Sequence, residues 1–188
     1  MDSFFIRPEV PEDILAIHEV NFQAFAHDDE AQLVDALRSH GDFNPDLSLV
    51  AVFNDCIIGH ILFPDITIES GEETISALAL APLVVHPDFQ GRGIGLGLIE
   101  EGLDTCRSLG HRIVIVVGHP GYYPRFGFSP ASHFGIEAPF EVADDVFMAL
   151  ALVPGALDGV HGRVRYPKAF EAVVGVDKYP LKKGETLP

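Results

Sequence analysis

The densest chemistry in the sequence lies at Gln90-Gly91-Arg92-Gly93-Ile94-Gly95. Ahead of it, an apolar run from Ala77 to Val85 reads as a buried strand and His86-Pro87-Asp88 as a turn. Behind it, helical periodicity continues through Leu109. Strand, glycine-rich turn and helix together are the layout of an anion site. The first turn of a helix leaves backbone N–H groups without intrahelical acceptors, and the helix dipole adds partial positive charge at the same end. Glycines at 91, 93 and 95 remove the Cβ atoms that would keep a diphosphate away from those groups, and Arg92 adds a side-chain charge. Two rival phosphate motifs fail. A G-x-G-x-x-G count from Gly91 puts Leu96 at the third glycine and a count from Gly93 puts Leu98 there, and no G-x-x-x-x-G-K-[ST] occurs. The spacing that fits is Q-x-x-G-x-G, carried by Gln90, Gly93 and Gly95.

A second dense segment follows at Gly121-Tyr122-Tyr123-Pro124-Arg125-Phe126-Gly127-Phe128. A phenol has an unperturbed pKa of about 10, so it stays protonated at neutral pH and can protonate a strongly basic leaving group within reach.

In this order and at this separation, the two segments resemble the GNAT superfamily of N-acetyltransferases. The first resembles its acetyl-CoA pyrophosphate loop, and the second its aromatic-Tyr-x-x-aliphatic/aromatic-Gly-Phe segment after strand five. The resemblance covers about Phe4 to Leu152. It implies a mixed α/β fold: a central twisted, mostly antiparallel sheet with flanking helices, in which strands four and five form a parallel, splayed pair. It also implies acetyl-CoA as co-substrate. The backbone of Gln90, Gly91, Arg92, Gly93, Ile94, Gly95 and Leu96 would hold the pyrophosphate. Backbone groups of Leu83, Val84 and Val85 would pair with pantetheine like an added strand, and one of their N–H groups would polarise the acetyl carbonyl. Tyr123 falls on the position of the family's proton donor and Tyr122 on the aromatic before it. The alternative for Tyr123 is an interior aromatic with its hydroxyl bonded to backbone.

Transfer to an amine also needs the amine neutral. The expected fourth strand carries no acid from Ser76 to Val85, so a glutamate base there is absent. His119 either relays the amine proton through water or caps a strand end, and the acceptor can also arrive neutral. Pro124 departs from the charged helix former more usual in the superfamily, and proline in a first turn shortens or starts a helix. Pro82, inside the expected strand, is compatible with the family's strand-four bulge or with a simple kink. The nine histidines show no H-x-x-x-H or H-x-H spacing, so no metal is expected.

Composition narrows the remaining classes. The 188 residues suit one domain with a full core, and a hydrophobic content of 47% argues against disorder. The net charge of −16, with no basic cluster beyond pairs such as Lys182-Lys183, disfavours nucleic acid. That acidity attracts cationic amines or serves solubility alone. Cys56 and Cys106 read as buried small apolar residues of a reducing compartment. The N-terminus lacks the pattern of a signal peptide and the longest apolar run is too short to span a membrane, so a cytoplasmic protein with no membrane partner is expected.

The elements that must position these residues follow in order. A first strand over Phe4 to Arg7 ends at Pro8. A helix after Pro11 follows, with Ile14, Leu15, Ile17, Phe22 and Phe25 on its apolar side, and then a helix from Asp29 to about Arg38 ended by Gly41. Ser48 to Phe53 and Ile57 to Phe63 form a hairpin across Asn54-Asp55. Glu69 to Glu73 is a polar loop, and Thr74 to Val85 one central strand. The helix from Gly91 to Gly110 presents Ile94, Leu98, Ile99, Leu103, Cys106 and Leu109 on one side. Arg112 to Val117 is a parallel strand, so Val85 and Val117 frame a site. Phe134 to Glu137 and Val146 to Val153 close the sheet, and Arg163 to Tyr166 can add a short strand. Residues 1–153 are thus expected to form the acetyltransferase domain, with 154–188 an extension packed on it. The acceptor is a primary amine of a small molecule or protein, chosen by Phe22 to Gly41, Ile66 to Thr74 and Pro130 to Asp145, and a homodimer is compatible with this reading. The rivals are transfer of a longer acyl chain or to a hydroxyl, and an acyl-CoA sensor or interaction domain without turnover.

Overall fold

Asn54 and Asp55 turn the chain between β2 (Ser48–Phe53) and β3 (Cys56–Leu62) with φ of 48° and 61°, the left-handed conformations that a tight hairpin turn demands. This hairpin is the centre of one of two compact units in the computed structural model, which describes residues 3–25, 28–41 and 43–173. The first unit contains residues up to 64 and 81–105, and the second 65–80 and 106 onward. Positions 26 and 27 of the expected acceptor segment lie outside the described residues, as do 174–188 of the expected extension with its Lys182-Lys183 pair.

In the first unit a four-stranded sheet runs β1 (Phe5–Pro8), β2, β3, β6 (Leu83–Val85), antiparallel throughout, with β6 at its end in the register Gly59↔Val85, His60↔Val84, Ile61↔Leu83. Two helices, α1 (Ile14–Phe25) and α2 (Asp29–His40), belong to the same unit. On α2, Leu33, Val34 and Leu37 are buried as expected. On α1 the buried side is Ile17, Val20 and Asn21. Leu15, 83% exposed, and Phe22 lie outside the apolar stripe in which they were expected.

Asn21 marks a chain of polar groups inside this unit. Its Nδ2 donates to Ile17 O at 2.8 Å and lies 3.1 Å from His60 Nδ1, while His60 Nε2 lies 2.9 Å from Ser48 Oγ. Ser48 Oγ donates to the Glu9 carboxylate, which Arg38 Nη2 grips at 2.9 Å through both oxygens. One proton placement suits these contacts, an imidazole that accepts at Nδ1 and donates from Nε2, while Asn21 Oδ1 and Arg38 Nε are buried without a hydrogen-bond partner. Burial, with the charge of Arg38 adding to it, pulls His60 from 6.5 down to about 3, which keeps the ring neutral.

In the second unit a seven-stranded sheet runs β8 (Ser129–Pro130), β10 (Phe147–Ala151), β7 (Ile113–Val117), β5 (Glu73–Ala79), β4 (Asp65–Ser70), β11 (Gly162–Arg165), β9 (Ile136–Glu137). Its core gathers Ile66, Ile68, Ala77, Ile113, Ile115, Phe147, Leu157 and Val164. The expected mixed α/β character is present: pairing is mostly antiparallel, with parallel pairs of β5 with β7 at Leu78↔Val114 and Ala79↔Ile115 and of β11 with β9 at Gly162↔Ile136.

The strand expected over Thr74 to Val85 is two strands in two sheets. β5 stops at Ala79, the Ala81-Pro82 peptide is cis, and β6 begins at Leu83. Proline offers no N–H to a ladder, so a continuous central strand cannot pass through position 82. The parallel partner of β7 is therefore β5, while β6, which contains Val85, pairs with β3. The segment before it is also more regular than expected. Asp65 to Ser70 alternates Ile66 and Ile68 inward with polar neighbours outward, so the expected loop shrinks to the turn between β4 and β5. Phe134 ends a 3-10 turn over Ala131–Phe134 and does not begin a strand. Leu109 is exposed beyond α3 (Ile94–Ser108). Cys56 is exposed at the β2–β3 turn, contrary to the buried reading, whereas Cys106 is buried and its thiol is pushed up to about 12 by that burial.

Candidate active site

The glycine-rich segment is held at both of its ends. Gly59 of β3 lets α3 press onto the sheet: a Cβ there would stand 3.0 Å from Leu98 Cδ1 and 3.2 Å from Ile94 Cγ2. At Gly102 a Cβ would meet the Phe63 ring at 2.5 Å. The start of α3 is thereby fixed against β3, the neighbour of β6. Between β6 and α3 the chain forms a 3-10 turn over Pro87–Phe89, capped by His86, whose Nδ1 accepts from Asp88 N–H at 3.2 Å. Gln90 bends back so that its Nε2 donates to Val85 O at 3.1 Å. Its side chain therefore ties the loop to the strand end. Arg92 folds onto the preceding turn, donating to Asp88 O at 2.9 Å with its guanidinium 5.1 Å from the Phe89 ring centroid.

Gly91 and Gly93 have φ of 73° and 82°, and a Cβ at either would find no heavy atom within 4 Å. The left-handed backbone there is one that residues with a Cβ adopt at a cost. The first bond of the α3 ladder is Gly97 N–H to Gly93 O at 3.0 Å, so the amides of Ile94, Gly95 and Leu96 precede it and have no intrahelical acceptor. Open space, forward-pointing amides and the positive end of a 15-residue helix suit a diphosphate. Leu83, Val84 and Val85 form the terminal strand of the same sheet, with one edge taken by β3.

The tyrosine segment belongs to the second unit. β7 ends at Val117, Gly118 N–H donates to Val146 O at 2.9 Å, and a 3-10 turn over Tyr123–Phe126 follows, with Pro124 in its first turn. Proline fits there because the first N–H of a turn needs no internal acceptor. The helix implied for this position is thus a single turn. Tyr123 is 6% exposed. Its ring meets Tyr122 edge-on at 5.3 Å and Phe128 at 5.7 Å. Tyr122 carries Arg125 at 4.7 Å over its face, and burial raises its phenol pKa despite that cation.

Two features of this segment bear on chemistry. A Cβ on Gly118 would sit 2.0 Å from Tyr123 Cε2, so only glycine leaves room for the ring where it lies. Position 118 shows no sign of this in sequence, since a glycine after a strand reads as a turn. His119 Nδ1 accepts from Gly121 N–H at 3.0 Å, which places the proton of the neutral ring on Nε2. The capping alternative for His119 matches this geometry.

Among the described residues, no group of three or more His, Cys, Asp or Glu side chains could hold a metal ion, and no helix is long and apolar enough to cross a membrane.

A family model described as an acetyltransferase (GNAT) domain matches residues 6–131. The chain is 33% identical over 166 residues to the uncharacterized N-acetyltransferase YhbS of Escherichia coli K12, a match covering 88% of this chain and 97% of YhbS. A crystal structure of YhbS from Escherichia coli in complex with CoA is similar with a TM-score of 0.84 and 32% identity, covering 89% of this chain and 92% of that one. A GNAT family acetyltransferase from Brucella melitensis in complex with acetyl-CoA is similar with a TM-score of 0.72 and 35% identity, covering 90% of this chain and 99% of that one.

Proposed function

The chain belongs to the GNAT family of acetyltransferases, and we propose that it transfers the acetyl group of acetyl-CoA to a primary amine by direct attack. The observation that carries this reading is the pair of left-handed glycines, Gly91 and Gly93, with open space where side chains would stand, immediately before the unpaired amides of α3. In this reading the backbone of Gln90, Gly91, Arg92, Gly93, Ile94, Gly95 and Leu96 binds the diphosphate of CoA. Leu83 to Val85 pair with pantetheine, and one of their N–H groups polarises the thioester carbonyl.

The amine arrives neutral and its lone pair attacks the carbonyl carbon. The tetrahedral adduct collapses with cleavage of the C–S bond. Tyr123 gives its phenolic proton to the departing thiolate, the new amide nitrogen loses a proton to solvent, and the tyrosinate regains one from solvent. Atoms and charges balance with no added cofactor: acetyl-CoA and amine give amide and CoA. The acceptor is a small-molecule or protein amine met in the cytoplasm, with no nucleic acid or membrane partner. Residues 1–153 act as the transferase domain and 154–188 as its extension.

The test is thiol release from acetyl-CoA against a panel of amines. Amine-dependent release, lowered about 10-fold to 100-fold in Tyr123→Phe with the CoA affinity kept, is expected. Release that is unchanged in Tyr123→Phe removes Tyr123 from the mechanism, and binding without release from any amine turns the protein into a sensor.

A further inference from the structure

We propose that His119 is a positioning residue for Tyr123, setting the phenol in place through the turn it caps and taking no part in proton transfer from the amine. This rests on the acetyltransferase reading, in which Tyr123 protonates the thiolate. Four contacts converge on the histidine. Its Nδ1 accepts from Gly121 N–H at 3.0 Å. Its carbonyl oxygen accepts from Tyr122 N–H at 3.0 Å and, more weakly, from Tyr123 N–H at 3.5 Å. The ring also lies over Gly121, where a Cβ would stand 3.2 Å from Nδ1 and 3.3 Å from Cε1. The residue before it, Gly118, is the one against which the Tyr123 ring is seated.

The whole path from the end of β7 to the phenol is therefore five residues long and is fixed at each step. Gly118 is anchored to Val146 O, His119 closes the turn from both its side chain and its carbonyl, and Tyr122 and Tyr123 hang from that carbonyl. Pro120 holds φ near −65° within the turn and presents no N–H that needs an acceptor. A side-chain acceptor at position 119 is what the turn requires, and a basic nitrogen is not. Asparagine supplies such an acceptor, since its Oδ1 bonds the N–H two residues on, and it cannot accept a proton near neutral pH.

That distinction gives the experiment: the full-length protein as His119→Ala, His119→Asn and Tyr123→Phe, each measured three ways. The readouts are kcat and KM for acetyl-CoA and an amine, hydrogen exchange of the 118–128 segment, and nitration of Tyr123 by tetranitromethane. In His119→Ala we expect kcat to fall about 10-fold or more with KM for acetyl-CoA within about twofold, because displacement of a catalytic group slows chemistry while the CoA loop is untouched. Exchange at Gly121 and Tyr122 and nitration of Tyr123 should both rise several-fold. In His119→Asn all of these should return toward wild type.

Equal loss of kcat in the Ala and Asn variants, with wild-type exchange and nitration, would overturn the inference and make His119 a proton relay. Wild-type values of every readout in His119→Ala would overturn it as well. If His119→Ala exposes Tyr123 as predicted while Tyr123→Phe keeps full turnover, the positioning of Tyr123 stands and the general-acid reading falls.

Discussion

The strand ends to which the proposed chemistry is assigned, those of β6 and β7, use the same local turn and put it to opposite uses. β6 runs into His86-Pro87 and β7 into Gly118-His119-Pro120, and in each the histidine Nδ1 accepts the N–H two residues on, at 3.2 Å in the first and 3.0 Å in the second. Each histidine carbonyl also accepts from the residue three on, Phe89 at 2.8 Å and Tyr122 at 3.0 Å. After the first corner Gly91 and Gly93 look into empty space. At the second, glycine is used because space has run out, with the Tyr123 ring where a Cβ would be. A glycine near a strand end thus means one of two things: room kept for a ligand's charge, or room taken by the protein's own side chain.

Substitutions at the two kinds of glycine should break that symmetry in different columns of the kinetics. Gly93→Asp adds a Cβ at φ 82° and a negative charge at the proposed diphosphate seat. Its acetyl-CoA affinity is expected to fall by about 100-fold or more, from about 1–2 kcal/mol of backbone strain plus charge repulsion. The check is loss of the thermal stabilisation that acetyl-CoA gives the wild type. Gly118→Ala should leave that stabilisation intact and lower kcat by about 10-fold, with overpacking costing roughly 1–3 kcal/mol of stability. If Gly118→Ala weakened acetyl-CoA binding as much as Gly93→Asp, the two corners would not have separate duties.

Smaller effects sharpen the same contrast. His86→Ala should weaken acetyl-CoA binding by about 3-fold to 10-fold with kcat near wild type, since one turn hydrogen bond contributes about 1 kcal/mol, and His86→Asn should recover most of it. His60 is buried and neutral, with its pKa drawn down from 6.5 to about 3. The unfolded chain takes up the proton first, so stability is full above about pH 6.5 and falls as the pH drops towards 3. The slope over this window is about 1.4 kcal/mol per pH unit for one proton. Urea midpoints measured across this range should show that slope in the wild type and a shallower one in His60→Leu. Equal slopes would mean that acid unfolding is driven elsewhere.

Much of the fold was legible in the residues, and the misses have two causes, one local and one long-range. The Gln90-Gly93-Gly95 turn before α3 is readable because glycines at fixed spacing between an apolar strand and a helix leave bare backbone. Tyr123 is readable because its neighbours Tyr122, Phe126, Gly127 and Phe128 form a dense local pattern. β4 is missed because Glu69 and Ser70 draw the eye to a loop while Ile66 and Ile68 already alternate. Splitting of the Thr74 to Val85 run is half-legible, since Pro82 forbids a regular ladder but says nothing of which sheet each half joins. Gly118 and Gly59 are invisible to local reading, and the Asn21-His60-Ser48-Glu9 chain nearly so. Their meaning comes from a ring, a helix or a carboxylate brought in from elsewhere in the chain. The one clue to the chain is a polar residue on an otherwise inward strand face, as at Ser48 and His60.

The most direct test of the central claim is calorimetric titration of the wild-type protein and Gly93→Asp with acetyl-CoA and CoA, and with NADH as a diphosphate of the wrong family. One-to-one binding of both CoA species to the wild type, no binding of NADH and loss of binding in Gly93→Asp is the predicted result. Absence of heat with either CoA species, or equal affinity in the variant, would mean that the Gln90 to Leu96 backbone does not hold the cofactor.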